Sequence, residues 1–94
     1  MKLSEITLER VKEAYTKTGL KPANGIGRYK PGCACALEAL AMDIWADKAR
    51  WPGAIEGEVE MKSFYAGFDG LHLFYGINLE AYYLGKSIAK GLGL

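Results

Sequence analysis

Apolar residues recur at helical spacing near the start of the chain. Between residues 6 and 18 they return every three or four positions, and charged side chains fill the opposite side, as in an amphipathic helix. Ser4 or Thr7 is placed to cap the start of this segment, and Gly19 to end it in a left-handed conformation. We therefore predict a first helix over residues 6–18.

A second periodic segment, residues 33–49, carries apolar side chains around most of its circumference. The positions that share one helical face are Cys33, Ala36, Leu37, Leu40, Ala41, Ile44 and Trp45. Further alanines widen the apolar surface, so neighbouring elements can approach closely. This pattern predicts a central helix that is buried on several sides and ends before Pro52.

Between these two helices, residues 20–32 show no periodicity. The segment contains two prolines and three glycines, and Asn24-Gly25 favours a turn with positive φ. We predict a long Gly/Pro loop over residues 20–32 that crosses one end of the helices.

Residues 55–75 fit two patterns. A helix from about Glu58 to Gly67 or Gly70 places several aromatic side chains on one face. A short hairpin at 64–75, with Asp69-Gly70 as its turn, is the alternative. We favour the helix, because Gly57 and Gly67 would weaken strands.

The last segment begins at Asn78, a good helix cap, and keeps helical spacing to the end of the chain. Gly85 inside it costs about 1 kcal/mol relative to alanine. This glycine predicts a close crossing with another helix, for which the alanines of the central helix are the candidate.

The patterns together predict a mostly α protein. We expect one helical domain over residues 1–94, a compact bundle of about four helices with the long loop at 20–32. An α+β fold with a hairpin at 64–75 is the alternative.

Composition narrows the class of partner and the location. The chain has 94 residues, half of them apolar, which suffices for one hydrophobic core. Its twelve Lys and Arg nearly balance its eleven Asp and Glu, so nucleic-acid and membrane binding are not expected. Residues 33–60 are acidic and residues 1–32 basic, which predicts a dipolar surface.

The sequence has no long apolar run and only two closely spaced cysteines, so we predict a cytoplasmic protein.

The two cysteines do not form a recognisable metal or redox site. Cys33 and Cys35 with the single His72 are too few ligands for a structural zinc ion. On a helix, residues two apart point about 200° away from one another, so the sulfurs would not share an ion. We predict no metal, no cofactor and no catalytic residue. Cys33 could be a reactive thiol at a helix start, with His72 as base only if the fold brings them together.

The loop before the central helix is the candidate ligand site. Exposed backbone amides, two cations and a helix start are the groups that bind phosphate or carboxylate. The predicted ligand-binding residues are Gly25, Gly27, Arg28, Lys30 and Cys33.

Eleven aromatic residues, most of them after residue 50, form the other candidate surface. We expect core packing for most of them, and any that stay outside as a patch would favour a homodimer or a protein partner bound through aromatic surface. The function that follows is a non-enzymatic interaction or regulatory module. The alternative is a small anion-binding or thiol-dependent protein that uses the loop at 24–33.

Overall fold

Four α-helices make up most of the molecule in a computed structural model that describes residues 1–72 and 78–94. They are α1 (Leu8–Thr18), α2 (Ala36–Trp45), α3 (Glu58–Phe68) and α4 (Leu79–Gly91). Short 3₁₀ helices span Leu3–Glu5, Gly25–Tyr29 and Lys48–Gly53. Two-residue strands β1 (Lys21–Pro22) and β2 (Cys33–Ala34) pair in parallel. The mostly α prediction is confirmed, and the radius of gyration of 11.8 Å is that of a compact chain.

The predicted end of α1 and the start of α4 are confirmed, whereas α1 begins at Leu8, two residues later than predicted, with Thr7 and not Ser4 as its cap. The Thr7 hydroxyl accepts a hydrogen bond from the Arg10 amide at 3.1 Å, and Gly19 ends α1 with φ of 74°. The Asn78 side chain accepts from the Ala81 amide at 3.0 Å. Local capping chemistry therefore sets these boundaries, as expected from the sequence.

Helix α2 is shorter than the predicted 33–49 segment at both ends. Its first residue is Ala36, because the Glu38 carboxylate accepts the Cys35 amide at 3.0 Å and holds Cys35 as the cap. At the other end Ala46 turns left-handed with φ of 56°. The side chains of α2 from Ala36 to Ala41 are all buried, as predicted for the central helix.

The helical interpretation of residues 58–68 is confirmed. Residues 64–68, which the hairpin alternative assigns to a strand, belong to α3, and Gly70 follows with φ of 71°. Residues 73–75, part of the second proposed strand, lie outside the described residues. The 20–32 segment also differs from a plain loop, because it contains β1 and a 3₁₀ helix.

The predicted close crossing of Gly85 exists, but its partner is α3 and not the central helix. A Cβ atom on Gly85 would overlap the Phe64 carbonyl oxygen, and one on Gly67 would overlap the Tyr82 carbonyl oxygen. The two backbones approach because both positions lack a side chain. Around this crossing lies one buried core from all four helices, which includes Val11, Ala14, Leu37, Leu40, Phe64, Phe68, Ala81 and Ile88.

Candidate functional site

The loop between α1 and α2 is closed at its base by backbone hydrogen bonds. The Lys21 amide donates to the Gly32 carbonyl at 2.8 Å, and the Ala23 amide to the Ala34 carbonyl at 3.1 Å. These bonds hold the two ends of the loop together, as in a compact Ω-type loop. The 3₁₀ helix Gly25–Tyr29 forms the middle of the loop.

Arg28 folds back from this 3₁₀ helix into the protein. Only 5% of the residue is exposed. Its guanidinium carbon lies 4.9 Å from the ring centroid of Tyr65, 5.1 Å from that of Tyr29 and 5.2 Å from that of Trp51. Trp51 and Tyr65 are themselves stacked, with centroids 5.5 Å apart. Cation–π attraction inside this aromatic cage thus holds the loop against α3 and the 3₁₀ helix after α2.

The carboxylate of Glu38 is the counter-charge of this buried cation. One Glu38 oxygen lies 3.5 Å from Arg28 Nε, and the other lies 4.0 Å from Lys48 Nζ. The same carboxylate caps α2 through the Cys35 amide. A helix start with nearby cations does attract an anion here, but the anion is a side chain of the protein itself.

Arg28 is held mainly by charge and ring faces. Within residues 1–72 and 78–94, Arg28 Nε and Nη1 are buried and have no hydrogen-bond partner. The 3.5 Å separation from Glu38 is a charge contact longer than a good N–H···O hydrogen bond. Removing either charge would therefore leave the other poorly compensated in the interior.

A second set of contacts anchors the loop to the C-terminal end of α3. The Asn24 side-chain amide donates to the Phe68 carbonyl at 3.0 Å, and the Gly25 amide donates to Asp69 Oδ1 at 3.2 Å. Gly25 has φ of 56°, a conformation that suits glycine. The bond from Asn24 satisfies a carbonyl that the end of the helix leaves free.

The structure separates the five residues of the predicted ligand site. Arg28 is buried, Lys30 is exposed and Cys33 is half-buried. The amides of Gly27, Lys30 and Cys33 donate to the carbonyls of residues 24, 27 and 30, and the Gly25 amide is bound to Asp69. Four of the five amides are thus engaged within the chain, and ligand binding at this set stays a prediction.

The two thiols differ in environment. Cys33 lies in β2, outside the first turn of α2, so the helix geometry used to separate the sulfurs does not apply. In an extended backbone, residues two apart point to the same side. Cys35 is 1% exposed, and burial raises its pKa to about 12, so its thiol stays protonated at neutral pH. His72 is exposed. In the described part of the chain, no group of three or more His, Cys, Asp or Glu side chains is placed to hold a metal.

Most of the aromatic residues proposed as a surface are covered. Phe64, Phe68 and Tyr82 are buried, and Trp51 and Tyr65 are half-buried in the Arg28 cage. Tyr83 is 55% exposed. Phe74 and Tyr75, two further members of the proposed surface, lie outside the described residues.

The most exposed large apolar side chains of the described residues lie elsewhere, on the 3₁₀ helix of the loop. Ile26 is 89% exposed and Tyr29 is 72% exposed. Sequence reasoning treated this segment as a site for charges and missed these two positions. The signal was present, since an isoleucine and a tyrosine three apart among glycines have no strand or helix to bury them.

Comparison of the chain with models of protein families, with curated proteins and with solved structures finds no match. None of the helices in the described ranges has the length and apolar character needed to cross a membrane.

Proposed function

We propose that this chain is a non-enzymatic protein-interaction module whose binding element is the loop at 24–33. The observation that carries the proposal is the exposure of Ile26 and Tyr29 on a loop that is anchored from inside by Arg28. Single exposed apolar residues are common on protein surfaces. Here two large apolar residues, Ile26 and Tyr29, lie on the same short 3₁₀ helix, and the buried Arg28 side chain anchors that helix. The surface they form is therefore ordered before a partner binds.

This order matters for binding because a flexible loop loses conformational freedom when it binds. Here the base hydrogen bonds, the Arg28 cage and the Asn24 bond have already fixed the backbone. Tyrosine is also enriched in binding surfaces, since it offers a large contact area with few rotatable bonds. The loop is therefore suited to insert Ile26 and Tyr29 into a partner protein.

The anion-binding or thiol-dependent alternative has less support. Glu38 already provides the anion beside Arg28, and the buried Cys35 thiol is protonated. Cys33 remains the accessible thiol of that alternative. As part of the proposal we place the protein in the cytoplasm, a location consistent with two free cysteines.

The test is site-specific photo-crosslinking in cells that express the protein. A photoreactive phenylalanine analogue replaces Ile26 in one variant and Ile44 in the control. Ile44 is also an exposed isoleucine, but it lies near the end of α2. We expect discrete protein crosslinks from position 26 that are absent from position 44. Equal crosslinking from both positions, or none from position 26, would contradict the proposal.

A further inference from the structure

The surface around Ile26 and Tyr29 is basic, which restricts the partner. No acidic residue occurs between Glu13 and Glu38, and Glu38 itself is buried. Lys21 and Lys30 are exposed, and neither forms an ion pair with the described residues. The carboxylate that reaches this loop, that of Asp69, accepts the Gly25 amide. We call the surface formed by Lys21, Ile26, Tyr29 and Lys30 the basic loop.

A surface of the opposite character lies at the other end of α3. A pocket of about 350 Å³ is lined by Glu56, Glu60 and Glu80, together with Lys2, Leu3, Ser4 and Asn78. We call this pocket the acidic groove. Two exposed apolar residues are adjacent in sequence to its glutamates: Val59, which is 49% exposed, and Leu79, which is 56% exposed. Lys2 is the one cation among its described lining residues, so the groove carries a net negative charge.

The two surfaces cannot meet within one molecule. The basic loop is anchored at Phe68 and Asp69, where α3 ends, whereas Glu56 and Glu60 lie where α3 begins. A helix of eleven residues is about 16 Å long, so the two surfaces lie at opposite ends of a rigid element.

We propose that the basic loop of one molecule docks in the acidic groove of a second copy of this chain. This inference rests on the proposed function, for which it names the partner. The charges of the two surfaces are opposite, so that the lysines of the basic loop would face the glutamates of the acidic groove. Because the two docking surfaces differ, the contact is head-to-tail and builds a ring or an open chain of copies.

The decisive experiment uses two charge-neutralised variants of the full chain in sedimentation velocity. Lys21→Gln with Lys30→Gln disables the basic loop, and Glu56→Gln with Glu80→Gln disables the acidic groove. All four side chains lie on the surface, so both variants should fold. We expect wild type to associate with rising concentration, and each variant alone to associate at least about tenfold more weakly.

Mixing the two variants separates the head-to-tail contact from a symmetric one. Each variant keeps one intact surface, so the mixture should form a 1:1 heterodimer that grows no further. A two-fold symmetric contact through either surface would not be restored by mixing, and that result would overturn the inference. Recovery of the heterodimer also shows that both variants are folded.

A matched control neutralises two other lysines. Lys86 and Lys90 line a neighbouring groove of about 590 Å³ that also includes Asn24 and Phe68, so they lie near the loop without belonging to the basic loop. Lys86→Gln with Lys90→Gln should leave the association of wild type unchanged. Association lost in this control but kept in the loop variant would overturn the inference. A wild-type protein that stays monomeric at every concentration would also overturn the inference. If it stays monomeric, crosslinks from position 26 to a different protein would still support the proposed function, whereas an absence of crosslinks would contradict the proposed function too.

Discussion

The α3–α4 crossing and the loop between α1 and α2 are both fixed against neighbouring elements, but they are held in different ways. At the crossing, Gly67 and Gly85 bring two helices together because neither has a side chain. At the loop, the long side chain of Arg28 reaches inward to an aromatic cage and to Glu38. The comparison shows that one contact depends on shape alone, whereas the other depends on compensated charge.

The largest loss of stability is expected from a substitution that disrupts the α3–α4 crossing. Gly85→Ala places a methyl group against the Phe64 backbone, which cannot move aside without shifting α3. We expect a loss of about 3 kcal/mol in the free energy of unfolding, despite the better helix propensity of alanine. Urea denaturation followed by circular dichroism measures it.

The control for this substitution is Gly91→Ala in the same helix. A Cβ at Gly91 would meet the end of the flexible Leu8 side chain, which can rotate away. We expect a change of less than about 1 kcal/mol there. Equal stabilities of the two variants would show that the crossing is not limited by backbone contact.

The next largest loss of stability is expected from a substitution that removes the charge contact between Arg28 and Glu38. Arg28→Met leaves the buried Glu38 carboxylate with Lys48 and the Cys35 amide as its remaining partners. We expect a loss of about 2 kcal/mol, less than for a fully orphaned buried charge. Adding Glu38→Gln should recover part of this loss in a double-mutant cycle measured by urea denaturation.

The neighbouring substitution Ile26→Ser serves as the control for the charge contact. Because Ile26 is 89% exposed, its replacement should change the free energy of unfolding by less than about 0.5 kcal/mol. Strictly additive losses for Arg28→Met and Glu38→Gln would argue against a coupled pair.

The smallest effect concerns alkaline pH at the start of α2. Burial raises the pKa of Cys35 from its usual 9.0 to about 12. Between these values the unfolded chain loses a proton that the folded chain keeps, so stability is full below pH 9.0 and falls as pH rises. One such group gives a slope of about 0.7 kcal/mol per pH unit at pH 9.0, where half of the unfolded chains have lost the proton, and this slope rises towards about 1.4 kcal/mol per pH unit above pH 10.

Thermal or urea unfolding between pH 9 and 10 should show this slope in wild type and in Cys33→Ala, and a shallower one in Cys35→Ala. Burial also raises the pKa of Tyr15, which adds a loss of the same sign at still higher pH. If Cys33→Ala abolished the slope, the thiol with the raised pKa would be Cys33 and not Cys35, which would contradict the prediction.

Local features of the sequence predicted much of the fold. The period of α1, its Thr7 and Gly19 ends and the Asn78 cap all depend on residues within a few positions of each other. Such signals act before tertiary contacts form, so they can be recognised in the chain itself. The preference for a helix over residues 58–68 was correct for the same reason.

The sequence was less informative where a contact outside the apolar pattern decides the structure. Helix α2 was predicted to start at residue 33 because its apolar pattern begins there, whereas the contact of Glu38 with the Cys35 amide makes Ala36 the first residue. Likewise, Gly85 predicted a close crossing, but the choice of α3 as partner depends on Gly67 and the backbone at Phe64.

The sequence by itself determined a mostly α chain with an irregular loop at 20–32, because periodicity and capping are local. Tertiary structure alone decided that Arg28 turns inward to Glu38, Trp51 and Tyr65. The physical reason is that a buried cation needs its counter-charge and ring faces brought together from three separate segments of the chain. The spacing of residues within any one of these segments does not predict that the segments come into contact.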